Sequence, residues 1–199
     1  EPPAGADARD GFDIVGWASS YTGEPIPAAE MEAWVDAAVN EILRLRPRRV
    51  LELGCGTGLL VARVAPHCEV YRATDYSLEA IRRVERLRDR TPALAHVELS
   101  QQPAHDLRGC PPQGFDLVVI NSVVQYFADV DYLVQVLQGA VERVAPGGHV
   151  LVGDVRSHAL LEGFHASVAL ARGRPEPTRT QLRQRIARRM AAERELLVD

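Results

Sequence analysis

Three glycines at alternate positions, Gly54, Gly56 and Gly58, follow directly on the apolar run Val50-Leu51-Glu52-Leu53 and precede another, Leu59-Leu60-Val61. Residues without a side chain let the backbone turn sharply and let a ligand lie against it. The spacing therefore predicts a small-molecule site at the carboxyl end of a strand, as against a tight turn with no ligand. Loops that receive a dinucleotide pyrophosphate run Gly-x-Gly-x-x-Gly; here the third glycine arrives one residue early. Glu52, just before the loop, would repel a pyrophosphate but attract a cationic sulfonium ligand or hold its amino group. Gly54-Cys55-Gly56-Thr57-Gly58 thus favours S-adenosylmethionine over NAD.

Asp75 closes the next apolar run, 17 residues beyond Gly58, with Tyr76 beside it. A carboxylate there can accept both ribose hydroxyls, and it can also cap a helix beginning near Leu78. Further on, Gln101-Gln102-Pro103-Ala104-His105-Asp106 lies where an adenine ring is expected. Ala104 offers a flat apolar contact, and His105 or Asp106 can meet the adenine amino group. The polar residues Asn121, Ser122 and Gln125 and the aromatic Tyr126, in Asn121-Ser122-Val123-Val124-Gln125-Tyr126-Phe127, are expected to line the same crevice.

The elements that must position these residues are legible as apolar runs rich in Val, Leu and Ile. Strands are predicted at Arg49 to Leu53, Val70 to Thr74, Val97 to Gln101, Phe115 to Asn121 and His149 to Val155, with Pro146-Gly147-Gly148 as a turn before the last. Helices fit Ala28 to Leu45, Leu59 to Ala65, Leu78 to Arg90, Asp131 to Val144, Leu160 to Ala171 and Thr180 to Leu197. Nearly all-apolar strands are those buried on both faces of a parallel sheet, and the alternating order demands crossover helices. The fold class is α/β, a Rossmann-like doubly wound, mainly parallel sheet. Four segments follow: a lead-in over 1–11 with order beginning near Phe12, a lid loop and helix over 12–47, a ligand-binding core over 48–158, and a helical, substrate- or carrier-facing segment over 159–199. A Pro-rich break lies between the last two helices.

Composition narrows the class. At 199 residues, 46% hydrophobic and 25% charged, with net charge −4, the chain suits one folded domain and not a polyanion binder, so nucleic acid is not an expected partner. Every basic side chain counted as Lys or Arg is Arg. The start at Glu1 lacks an initiator Met and a signal pattern, and the chain reads as a soluble fragment without a membrane span. Cys55, Cys68 and Cys110 have spacings that suit neither a zinc site nor a disulfide framework, so no metal is expected and a cytoplasmic setting is.

Together these motifs resemble the class I S-adenosylmethionine-dependent methyltransferases, with Glu52-Leu53-Gly54-Cys55-Gly56-Thr57-Gly58 as first motif and Phe115-Asp116-Leu117-Val118-Val119 as fourth strand. The strings Gly16 to Pro27, Asn121 to Phe127 and Gly153-Asp154-Val155-Arg156-Ser157 are similar to methyltransferase domains embedded in nonribosomal peptide and polyketide synthases. The resemblance implies S-adenosylmethionine as methyl donor and S-adenosylhomocysteine as product. It implies methylation of an amino nitrogen, or of a polyketide hydroxyl, on an intermediate tethered to a carrier domain, with neighbouring synthase domains as partners. A free-standing small-molecule methyltransferase and an inactive docking domain are the other readings. It also implies closing antiparallel strands, which are missing from this sequence; an open sheet edge is then expected.

For the chemistry, His165 is the candidate base, oriented by Glu193 or Glu195, with His158 as the alternative. Asp154 and Arg156 are expected to line the substrate mouth or to pair with each other. Trp17, Ser20 and Tyr21 form a candidate lid, with Tyr21 reaching the cofactor carboxylate. Arg179, Arg183, Arg185, Arg188 and Arg189, opposite an apolar face of Leu182, Ile186 and Met190, suit either a solvated basic face or docking of an acidic carrier domain or the phosphate of its arm.

Overall fold

The computed structural model describes residue 14 and residues 17–173 and 177–199. The lead-in over 1–11, the start of order near Phe12 and most of the Pro-rich break lie outside the described residues. Helix α1 (Ala28–Arg44) starts behind Pro27, whose φ of −54° suits a helix entry. It buries Met31, Val35, Val39 and Ile42, the apolar stripe read from the sequence. Then follow β1 (Arg49–Leu53), α2 (Leu59–Val64), β2 (Val70–Asp75), α3 (Leu78–Arg90), β3 (Val97–Gln101), β4 (Phe115–Asn121), α4 (Val130–Arg143), β5 (Val144–Gly153), α5 (His158–Ala171) and α6 (Arg179–Ala191).

Among the described residues the sheet has five strands in the order β3-β2-β1-β4-β5, every pairing parallel. Alternation along the central strands sorts side chains to its two faces. Val50, Leu117 and Val119 join a core with α1, α2 and α3, while Leu51, Leu53, Val118 and Ile120 face α4. This two-sided burial is why the strands read as continuous apolar runs. The order reverses between β1 and β4, and ligands of open parallel sheets bind at the carboxyl ends beside such a switch point.

Several element ends shift by one or two residues from the sequence reading, and two shift by more. Strand β5 begins at Val144, and Pro146-Gly147-Gly148 lies within it as a bulge: Phe115 faces Val144, whereas Leu117 already faces His149. Helix α6 stops at Ala191 instead of reaching Leu197. The Glu193 carboxylate accepts the amides of Arg194 (3.0 Å) and Glu195 (3.1 Å), a side-chain competitor for helical bonding that turns the chain. The tail then extends across the strand ends, donating from Leu196 N to Gln125 O and from Val198 N to Arg156 O (both 2.9 Å). No helix among the described residues is long and apolar enough to cross a membrane.

Candidate functional site

The glycine loop is tied to β2, because the amides of Gly54 and Cys55 both donate to Thr74 O, at 2.7 and 2.9 Å. Gly54, Gly56 and Gly58 all have positive φ, which side-chain-bearing residues rarely adopt. A Cβ on Gly54 would lie 2.5 Å from Val123 Cγ2, so that glycine allows the loop to pack against the chain after β4. A Cβ on Gly56 would meet nothing within 4 Å, so this backbone faces open space. Asp75, at the tip of β2 and only 7% exposed, faces the same space. Its Oδ2 accepts Gly56 N at 2.9 Å and its Oδ1 accepts Ser77 N at 2.8 Å. Ser77, not Asp75, caps α3, accepting Ala80 N at 3.3 Å.

Glu52 is buried at 3% exposure and accepts a 2.8 Å hydrogen bond from the Tyr71 hydroxyl. Burial pushes its pKa up to about 7, against the opposing effect of the Tyr71 bond and with the Asp75 charge adding to the rise.

Three cavities with shared walls run along the strand ends. The first, about 590 Å³, lies between Gly56, Asp75, Tyr76, Ala104, Phe127 and Tyr132. The second, about 520 Å³, has Glu52, Gly54, Cys55, Gly56, Thr57 and Asn121 in its wall, with Trp17 and Trp34 above. The third, about 690 Å³, is framed by Trp17, Asp154, Arg156, His165, Glu193 and Glu195. Tyr126 lines all three; Trp17 and Glu195 line the second and third. Trp17 is held over the crevice by a small hairpin, in which Ser19 N donates to Glu24 O (2.8 Å) and Ile26 N to Trp17 O (3.1 Å), and by a 5.2 Å ring contact with Trp34.

Where β4 and β5 end side by side, Ser122 and Asp154 both take left-handed backbone at φ 58° and 56°, a costly conformation for residues with side chains. Ser122 Oγ donates to Asp154 Oδ2 at 2.9 Å, so Asp154 is not the partner of Arg156. Arg156 instead reaches Glu193 at 3.2 Å, pairs closely with Glu195, and lies 5.6 Å from the Phe164 ring centroid. Burial opposes the charge on Glu193, but the amides of Glu195 and Arg194 together with Arg156 outweigh it and hold its pKa below the usual carboxylate range. His165 Nε2 stands 3.8 Å from Glu193 Oε2, beyond hydrogen-bond reach. Both its ring nitrogens are buried without a hydrogen-bond partner, and the one that carries no proton can accept from a donor on a ligand.

Several residues singled out in the sequence lie elsewhere. Asp106 N donates to Pro103 O at 2.9 Å, a turn that swings His105 away from the first cavity, where its Nδ1 meets Tyr132 Oη at 3.0 Å. Arg108 occupies the Asp106 carboxylate and lowers its pKa to about 2. Tyr21 turns to α5, its hydroxyl 2.9 Å from Ser167 Oγ and its ring edge-on to Phe164, and lines none of the three cavities. Exposed His158 pairs with Asp199 at 3.1 Å and likewise lines none of them. Ser122 lines the crevice as expected, and Trp34, Gln102, Phe127 and Tyr132 line it without having carried a signal of their own. An aromatic or polar residue in a loop acquires this role only once the strand tips converge.

A family model described as "Methyltransferase domain" matches residues 51–150. The chain is 50% identical over 188 residues to chondramide synthase cmdD of Chondromyces crocatus, covering 94% of this chain and 5% of that protein. It is 47% identical over 167 residues to the probable non-canonical nonribosomal peptide synthetase CymA of Salinispora arenicola, covering 83% of this chain and 2% of that protein. The chain thus spans a small fraction of the length of either relative. In fold it is similar to the N-methyltransferase NodS of Bradyrhizobium japonicum, solved with S-adenosyl-L-homocysteine. That match has a TM-score of 0.51 at 23% identity, covering 77% of this chain and 73% of that one.

Proposed function

The chain belongs to the methyltransferase domain family, and from that premise we propose that it transfers a methyl group from S-adenosylmethionine to the amino nitrogen of an acceptor tethered to a carrier domain within a nonribosomal peptide synthetase. One observation carries the reading: Tyr126 lines all three cavities and Glu195 lines two, so a ligand on the glycine loop and an acceptor near His165 share a wall.

The residues present fit the cofactor. Gly56 leaves open the space that a Cβ would take, and the Asp75 carboxylate has acceptor capacity left beyond its two amide bonds. Asp75 holds the ribose hydroxyls, Ala104 with Phe127 and Tyr132 accommodates the adenine, and Glu52 holds the amino group of the methionine end. When bound, the cofactor supplies an electrophilic methyl group that already carries its thioether leaving group.

The chain's own residues then have two tasks. Positioning comes first: Trp17 and Tyr126 confine the acceptor against the second cavity and exclude water. Good alignment of two reactants accounts for about 7–11 kcal/mol of a barrier. The second task is the proton. An amine is protonated near neutral pH, and Glu193 and Glu195, steadied by Arg156, attract that ammonium to the third cavity. His165, whose ring nitrogens have no hydrogen-bond partner, accepts the proton released before the neutral amine attacks.

The same free imidazole supports a second reading, methylation of a hydroxyl, where the proton must leave as the new bond forms. Supplying methyl-labelled S-adenosylmethionine with an aminoacyl or a hydroxyacyl carrier, and following products by mass spectrometry, separates them. The proposal expects label on the aminoacyl nitrogen. Label on the hydroxyacyl carrier alone establishes the second reading, and label on free amino acids alone sinks both.

A further inference from the structure

Beside the third cavity lies a smaller one of about 320 Å³, lined by Ala169, Arg172, Arg185, Arg188 and Arg189. Its chemistry is one-sided: four guanidinium groups and no carboxylate. On α6 the arginines recur at positions 185, 188 and 189, one helical face, and the helix contains no Asp or Glu. Arg172, just past α5, donates to the neutral carbonyls of Tyr21 (3.1 Å) and Ser19 (3.5 Å), which leaves its charge uncompensated. Elsewhere arginines such as Arg44, Arg49, Arg86 and Arg108 lie within 3.3 Å of a carboxylate oxygen, in a chain of net charge −4. Arg185, Arg188 and Arg189 have no such partner among the described residues. Like charges gathered on one wall repel each other, and a bound anion removes that cost.

Arg189 also lines the cavity that holds His165, Glu193 and Glu195. An anion bound by this cluster is therefore fixed at the edge of the acceptor chamber. Guanidinium forks match phosphate oxygens, and a phosphodiester keeps its charge at any pH at which the protein is folded. We propose that this arginine cavity binds the phosphate of the phosphopantetheine arm that carries the acceptor, anchoring the arm so that its far end lies in the chamber beside His165. This inference rests on the carrier-tethered reading above.

Binding is tested apart from methyl transfer, by titrating the full chain with 4′-phosphopantetheine and with pantetheine, which lacks the phosphate. The phosphorylated compound is expected to bind at least tenfold more tightly, with the advantage shrinking as salt rises. In R185Q/R188Q that advantage disappears, while affinity for pantetheine and for S-adenosylhomocysteine stays at the parent value; R185K/R188K keeps part of it. Equal affinity for the two compounds in the parent protein overturns the proposal. So does a weakening in R185Q/R188Q that is equal for apo- and phosphopantetheinylated carrier protein, because the arginines then read carrier carboxylates. A phosphate advantage together with methylation of free amino acids alone leaves the anion site standing and removes the tethered-acceptor reading instead.

Discussion

Gly54 and Gly56 stand two residues apart and answer to different neighbours. Replacing Gly54 with Ala drives a methyl into Val123, costing about 1–3 kcal/mol by overpacking in addition to about 1–2 kcal/mol for left-handed backbone. Gly56→Ala bears only the backbone cost of about 1–2 kcal/mol, yet its methyl enters the open space proposed to take the cofactor. Urea unfolding and cofactor titration should therefore separate them, with Gly54→Ala the less stable and Gly56→Ala folded but deficient in binding. Glu52 gives a pH signature. Its pKa in the folded state, about 7, stands above the ordinary 4.5, so folding takes up a proton and this group's contribution to stability falls as pH rises from 4.5 to about 7. The loss approaches about 3 kcal/mol, and Glu52→Gln should remove it, being stabilised relative to the parent at pH 8 and not at pH 4. Cofactor affinity should move the opposite way, rising with pH as the carboxylate forms. A stability difference that does not vary with pH would show that Glu52 is ionised throughout.

At the level of elements, the tail after α6 closes one side of the third cavity, the one proposed to take the acceptor. Its backbone bonds to Gln125 and Arg156, and the Arg156 pairs to Glu193 and Glu195, fix both carboxylates near His165. Arg156→Gln should loosen that closure, with faster amide exchange at Leu196 and Val198 and little change in β1 and β4; unchanged exchange in the tail would mean that the backbone bonds suffice. His165→Ala should lower the methyl-transfer rate about 10²–10⁴-fold while leaving cofactor affinity as it was. The side chains around His165 were named from the sequence, but the tail that carries two of them was not. Periodicity located the helices, but the end of α6 depends on Glu193 capturing nearby amides and on bonds to residues some 70 and 40 positions earlier. Similarly, the sequence picked out the loop that carries His105, whereas the direction of that side chain was decided by a turn at Pro103 and an edge-on contact with Tyr132.

Across the whole molecule, the sheet was legible because strands buried on two faces must be apolar throughout, and the glycine loop and Asp75 were legible because their chemistry tolerates few other residue types. The line of adjoining cavities was not, since it arises only where the tips of β1, β2, β4 and β5 meet the Trp17 hairpin and the tail. That convergence makes one crevice across the strand ends, in which S-adenosylmethionine is proposed to lie on the glycine loop. A ligand at 100 times its dissociation constant stabilises a fold by about 2.7 kcal/mol, so the melting temperature should rise by roughly 5–10 °C with S-adenosylhomocysteine. Titration calorimetry of S-adenosylhomocysteine into the full chain, Asp75→Asn and Gly56→Ala is the most direct test. Saturable one-to-one binding to the parent is expected, weakened at least tenfold in both variants. Absence of heat with the folded parent, or equal affinity in all three proteins, would contradict it.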